Sequence, residues 1–439
     1  MPEPSPQAIT RHIGLRSAVL LVVASMVGSG VFTTTGLLLR DLDSVAAVLC
    51  LWLLGGLLAG AGALAYAELT AALPENGGEY ALLSRIYHPC AGFVAGFISL
   101  VVGFAAPIAA AAVAFGGYAC RLYEGGRPTL WALGLILTVS CLHALGARFA
   151  SRVQDAATIM NVALIVGFIA CGVWAAVQRH VPIEQGSSLA PLLGSGKAAL
   201  GLVFVSFSYG GWNAAAYVAG EVRDPERTLP RALLLGTGIV VALYLGLNLV
   251  FLVSAPRAVL SGVVEVGHVA ATHLFGAAVA PYVSALIALG LAASVGALTL
   301  TGARIYERMG RDHARLRILV SARVQRGPSR AIALQTLVAL LLAATTSFDA
   351  LLSYVGFTLA LSSGLTLLGV FVLRAREPEL TRPYRAWGHP LTTLLALALM
   401  LWMVVLTLVE RPVTGLSGLL TIAAGVGLYA VSSAARPGP

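Results

Sequence analysis

Apolar runs of about 20 residues or more follow one another along almost the whole chain, and each is long enough to cross the hydrocarbon of a bilayer. Twelve lie near residues 15–40, 44–72, 90–122, 129–147, 154–178, 198–220, 231–254, 278–305, 329–347, 350–374, 389–409 and 414–434. In lipid, backbone polar groups must be satisfied within the structure, so continuous runs of this length read as helices. Only 11% of the residues are charged, against about 25% in a soluble domain, and mean hydropathy is +0.87. The fold class is therefore all-α integral membrane, with twelve expected spans. The first run continues past Arg16 without a small-residue cleavage site, so it is expected to be retained.

Loop charge gives the orientation. With the N-terminus inside, 21 Lys and Arg residues fall on the cytoplasmic side and seven outside. The largest cluster runs from Arg304 to Arg330, after the eighth span. The net charge of +9 thus reads as a solvated cytoplasmic face near anionic lipid rather than a nucleic-acid surface. The expected location is a cell (inner) membrane, with both termini cytoplasmic.

Two spans carry glycine interruptions: Gly28-Ser29-Gly30 in the first and Tyr209-Gly210-Gly211 in the sixth. Each opens a block of five spans, at 15–178 and 198–374. An odd number of spans per block inverts the second block relative to the first. Paired broken helices in corresponding places point to a transporter site. Residues 1–14 precede the first block, and the two spans of 389–434 lie outside the repeat.

A break inside the membrane frees backbone groups. At Ser29 and Gly30 a new half-helix begins, and its first N–H groups suit a carboxylate, with the Ser29 hydroxyl adding a bond. The preceding carbonyls, at Met26 and Val27 and from Phe207 to Gly210, suit an ammonium group. Together they match an α-amino acid. No acidic or basic residue adjoins either break, so a neutral side-chain pocket is expected. Gly103, Ala106 and Ala110 of the third span, with Pro107 as a kink, offer it small walls.

Other polar residues read as structural. Glu68 is expected to pair with an arginine near an interface, and Asp155 to open the fifth span, with an inner-gate pair as its sharper role. His143 reads as a core histidine. Glu265 and His268 fall in a polar stretch, 257–275, expected to hold a short lid helix. Cys50, Cys90, Cys120, Cys141 and Cys171 form no CxxC pair and read as small core residues. Only Cys120 comes near an outer loop, so no disulfide-linked partner subunit is expected. The sequence holds no HExxH, GxSxG or GxxxxGK[ST], which argues against an intramembrane enzyme or a nucleotide-driven pump. Neither a filter-like repeat nor a charge ring suggests a channel. No metal site or resident cofactor is expected.

Met26-Val-Gly-Ser-Gly-Val-Phe32 resembles the GSGIF signature of the amino acid–polyamine–organocation transporters. Phe207-Ser-Tyr-Gly-Gly-Trp-Asn213 and the following Glu221 to Arg231 stretch resemble the helix 6 region of its L-type amino acid transporter branch. Tyr66-Ala-Glu-Leu69 and Pro74-Glu-Asn-Gly-Gly-Glu-Tyr80 are similar to the end of helix 2 and the loop after it. The resemblance implies a LeuT-like inverted five-plus-five repeat with two added helices, moving neutral L-amino acids by alternating access. It implies that Ser29 and Gly30 bind the substrate carboxylate, that the carbonyls of Met26, Phe207 and Gly210 bind its ammonium, that Phe207 gates the site and that Asn213 bonds near the break. One departure stands out. Where related carriers have a helix 5 lysine, this chain has Asn161, and its single lysine is Lys197. Asn161 with Ser294 could support a Na+ site, or the carrier could use no ion. Exchange or facilitated transport is expected, with sodium or proton coupling, or carriage of a related amine or amino acid derivative, as alternatives.

Overall fold

The computed structural model describes residues 11–123, 126–145, 148–179, 195–320 and 328–433, and their side chains except at 145, 148–155, 157, 179 and 433. Described residues are overwhelmingly helical, and their β pairing is confined to two isolated bridges, Ile13 with Val222 and Asn76 with Val218.

In chain order the helices are α1 (Leu15–Met26), α2 (Gly30–Asp41), α3 (Val45–Ala72), α4 (Glu79–Ile86), α5 (Pro89–Ile98), α6 (Ala106–Cys120), α7 (Pro128–Leu145), α8 (Arg148–Arg179) and α9 (Gly196–Ser208). Then come α10 (Pro225–Ser254), α11 (Arg257–Leu260), α12 (Val266–Phe275), α13 (Ala280–Asp312), α14 (Ser329–Thr345), α15 (Phe348–Arg376), α16 (Leu391–Glu410) and α17 (Pro412–Ser433). Among the described residues nine helical stretches are long and apolar enough to cross a membrane. Three shorter apolar helices, Pro128–Ala144, Gly196–Ser208 and Ser329–Thr345, fall where the fourth, sixth and ninth spans are expected.

Local chemistry starts these helices. Ser44 and Ser195 sit in extended conformation and accept from Ala47 N and Ala198 N, both at 3.3 Å. Prolines occupy the first turn of α5, α10 and α13, where a missing N–H costs nothing. The core gathers α1, α2, α3, α9, α10 and α15, with Trp52, Tyr209 and Tyr244 fully buried. Outward-facing Leu57, Trp174, Leu401 and Val409 are 53–68% exposed, an apolar belt that fits lipid and not water.

Two spans depart from the expected continuous helix. The third is interrupted by a π-helical segment, Ser99–Ala105, where Ala106 N bonds Val101 O. Pro107 explains the position: its ring has no N–H and would strike the carbonyl four residues back in an α register. The sixth is α-helical only to Ser208. It continues as turns and two 3₁₀ turns, Ala214–Tyr217 and Ala219–Glu221. The polar stretch between α10 and α13 holds the short helix expected there, α12.

Candidate functional site at two helix breaks

The first break is confined to three residues. Val27 leaves the helix at φ −74°, ψ 94°, and Ser29 has already returned to helical angles at −64°, −33°. Thr33 Oγ1 donates to the Ser29 carbonyl at 2.8 Å. Phe32 N bonds the Ser29 carbonyl at 3.1 Å, and the N–H groups before it, at the helix start, are left without intrahelical acceptors.

The second break lies directly against the first. Gly211 has φ +97°, and a Cβ there would stand 2.4 Å from the Ser25 carbonyl oxygen. Both facts demand glycine. From the other side, a Cβ on Gly30 would stand 2.5 Å from Ser208 Cα. Thr34 and Ser208 share a hydroxyl–hydroxyl bond of 2.8 Å across the same contact. Gly30 therefore lets α2 approach α9; the space beside it is filled by Ser208 and not held open.

An aromatic cluster braces the breaks. Trp52 lies edge-on to Tyr209 and to Tyr244, each at 5.7 Å between centroids. Tyr209 OH donates to the Trp52 carbonyl at 3.1 Å, and Trp52 Nε1 to Thr35 Oγ1 at 3.2 Å. Tyr244 OH donates to the Met26 carbonyl at 2.6 Å. Sequence reasoning missed Trp52 and Tyr244, because their apolar surroundings look like ordinary span.

One cavity runs between the breaks. Met26, Gly28, Ser29 and Gly30 line it from the first, Phe207, Tyr209, Gly210 and Asn213 from the second, and Ser294 from α13. Three expected residues do not. The Val27 side chain packs in the core at 3% exposure. Ala106 and Ala110 are fully buried, while Gly103, Pro107 and Ala111 take the cavity wall. The π-helical bonding just before Ala106 shifts the register, so a face counted in α turns is misplaced. Asn161 packs instead on α13, its Nδ2 3.4 Å from the Gly290 carbonyl, and its buried Oδ1 has no hydrogen-bond partner among the described residues. Ser294 lies one turn further along α13, facing Gly28.

Two carbonyls expected to be bare already hold one bond each. Met26 O accepts from Tyr244 and Phe207 O from Gly210 N at 2.9 Å. A carbonyl has two lone pairs, so one remains on each.

The expectation that no acid lies near the breaks fails. Glu79 lines the cavity at 3% exposure. It accepts from Ser362 Oγ at 2.5 Å, Ser363 Oγ at 3.0 Å, Asn213 Nδ2 at 3.4 Å and the Tyr66 hydroxyl. Helix α4 follows a loop, and that loop brings it back beneath the second break. Glu68, by contrast, pairs with arginine as expected: Arg374 donates twice, at 2.8 and 2.7 Å.

The remaining polar residues lie outside the cavity. His143 is buried with Nδ1 unpartnered among the described residues. Glu265 pairs with Arg121 at 3.2 Å, and His268 Nδ1 meets Ser284 Oγ at 2.8 Å. The Asp155 side chain is outside the described residues. No group of three His, Cys, Asp or Glu side chains among the described residues could hold a metal ion.

The amino acid permease profile matches residues 13–430. The b(0,+)-type amino acid transporter 1 of Homo sapiens is 29% identical over 396 residues, covering 87% of this chain and 80% of its own. The large neutral amino acids transporter small subunit 2 of Mus musculus is 29% identical over 440 residues, covering 96% of this chain and 81% of its own. The chain belongs to the amino acid permease family, in the L-type branch of the amino acid–polyamine–organocation superfamily, and is a multi-pass membrane transporter of amino acids rather than an enzyme.

Proposed function

We propose that this permease carries neutral L-amino acids by alternating access, in exchange or secondary active mode, with the zwitterion held between the two breaks. The observation that carries this reading is the contact of the breaks themselves. Gly211 against Ser25 and Gly30 against Ser208 set a helix start and two helix ends around one cavity. The N–H groups at Ser29 and Gly30 would take the carboxylate. The carbonyl of Gly210 and the second lone pairs of Met26 and Phe207 would take the ammonium. Phe207 would close over the substrate. The Glu79 carboxyl group is already covered by four donors, so it has little capacity left to select a cationic side chain.

The same reading assigns twelve spans in an inverted five-plus-five repeat plus two helices, and a cell (inner) membrane with both termini cytoplasmic. Although one relative's name includes "small subunit", the half-buried Cys120 gives no clear outer thiol, and we propose no disulfide-linked partner. A sodium-coupled cycle is the second reading. The unpartnered Asn161 Oδ1 on α8, packed against Gly290 one turn along α13 from Ser294, favours it.

The test is purified protein in liposomes, with a radiolabelled panel of neutral L-amino acids. Uptake driven by internal amino acid is expected. If no panel member moves under any gradient, the carrier reading fails. Replacing sodium with choline separates the two modes: unchanged uptake removes the sodium reading.

A further inference from the structure

Glu68 and Glu79 are the two buried carboxylates among the described residues, and their surroundings differ in kind. Glu68 meets Arg374 Nε and Nη2 at 2.8 and 2.7 Å, Arg382 Nε at 3.8 Å and Ala386 N at 2.7 Å. Every one of these is a donor that cannot accept. A protonated Glu68 would point its O–H at donors, so the site fixes the ionised form.

Glu79 has no Lys, Arg or His within ion-pair distance among the described residues. Its partners are the hydroxyls of Tyr66, Ser362 and Ser363 and the amide of Asn213. A hydroxyl can donate or accept, and an amide can turn its oxygen inward. This shell can therefore satisfy both a carboxylate and a carboxylic acid. The titratable groups facing Glu79 are Tyr66 from α3 and Tyr217 from the segment after the second break. Among the described residues its other hydrogen-bond partners are Ser362, Ser363 and Asn213, none of which titrates.

We propose that Glu79 is a proton-binding site in the cavity wall, and that filling and emptying it is coupled to the transport cycle. The proposal rests on the carrier reading above and supplies its coupling step. Burial selects the ligand. At 3% exposure Glu79 offers almost no surface to a substrate ammonium, whereas a proton needs only one water in passing. Oε1 already accepts from Tyr66, Ser363 and Asn213, and Oε2 from Ser362 alone. A hydronium reaching the cavity gives its proton to Oε2 and leaves as water; the new O–H donates to Ser362 Oγ, whose own O–H turns away from the carboxyl group; release reverses each step. Charge-assisted hydrogen bonds are about twice as strong as neutral ones, so protonation weakens the junction of α3, α15 and the second break together.

The experiment uses the full chain in sodium-free liposomes and the fastest-moving amino acid of the panel. Uptake is measured with and without an inward proton gradient, for the parent and for Glu79→Gln. Gradient stimulation is expected in the parent and its loss in E79Q, since a glutamine keeps the shape but cannot titrate. Stimulation that persists in E79Q overturns the proposal. So does a parent that exchanges amino acid yet ignores the gradient, an outcome that leaves the carrier reading standing; no flux of any kind defeats both. A second readout covers an E79Q protein that does not fold. Adding the amino acid to the parent in weakly buffered detergent is expected to shift the bulk pH by linkage, and a constant pH overturns the proposal.

Discussion

Tyr244 ties α10 to the first break by donating its hydroxyl to the Met26 carbonyl at 2.6 Å. Both residues are buried, and the bond fixes a carbonyl at the end of a half-helix where intrahelical donors run out. Tyr244→Phe removes this donor and nothing else of similar size. The expected loss is about 1 kcal/mol of stability, with a rise in KM for amino acid as the Met26 carbonyl loses its anchor. Thermal unfolding in detergent and uptake kinetics check both. An unchanged midpoint and KM would show that Tyr244 does not brace the break.

The two glycines of the first break are expected to behave differently. A Cβ on Gly28 meets Ser294 Oγ at 3.5 Å, an ordinary contact. A Cβ on Gly30 meets Ser208 Cα at 2.5 Å, which forces α2 and α9 apart. Gly28→Ala should stay within about 0.5 kcal/mol of the parent. Gly30→Ala should cost about 1–3 kcal/mol by overpacking and abolish uptake. Equal stability of the two variants would refute the close approach of the helices.

Much of this site could be read along the chain, and the parts that could not have physical reasons. Glycine at 28, 30, 210 and 211 marks a break in an apolar run by itself. That Gly211 needs φ +97° and touches Ser25 depends on two helices meeting, which no local pattern encodes. Ala106 was misplaced because Pro107 imposes π-helical bonding, and a helical face counted in α turns then points the wrong way. Glu79 lies 134 residues from Asn213, in a stretch that reads as a loop. Only the return of α4 under the second break brings its carboxyl group to the cavity. The Glu68 pairing was legible because a carboxylate inside an apolar span must find a cation, although the sequence could not say which.

That pairing makes its own prediction. The Glu68 side chain is 2% exposed and leans on Arg374. Arg374→Gln leaves a buried carboxylate with only its distant Arg382 contact and the Ala386 N–H, and should cost about 3 kcal/mol. Glu68→Gln combined with Arg374→Gln should recover part of that loss, since no charge is then stranded. A double-mutant cycle read by thermal unfolding measures the coupling. Additive losses would mean that the two side chains do not interact in the folded protein.

The α12 helix should loosen in mild acid. His268 lies on it, with Nδ1 2.8 Å from Ser284 Oγ, and Ser284 gives its own proton to the Ala280 carbonyl at 3.0 Å. Nδ1 is therefore the donor of a neutral ring. Burial and then the nearby Arg121 hold the imidazole below its ordinary value of 6.5, with Glu265 opposing them. The unfolded segment then binds a proton more readily than the folded one. Stability from His268 is intact above about pH 6.5 and is lost progressively as the pH falls from there to the folded value. Amide exchange across Val266–Phe275 should quicken between pH 7 and about 5 by more than the intrinsic change in exchange chemistry. His268→Gln, which carries no charge at any of these values, should remove the excess. An excess that survives in H268Q would place the acid sensitivity of this helix on another group.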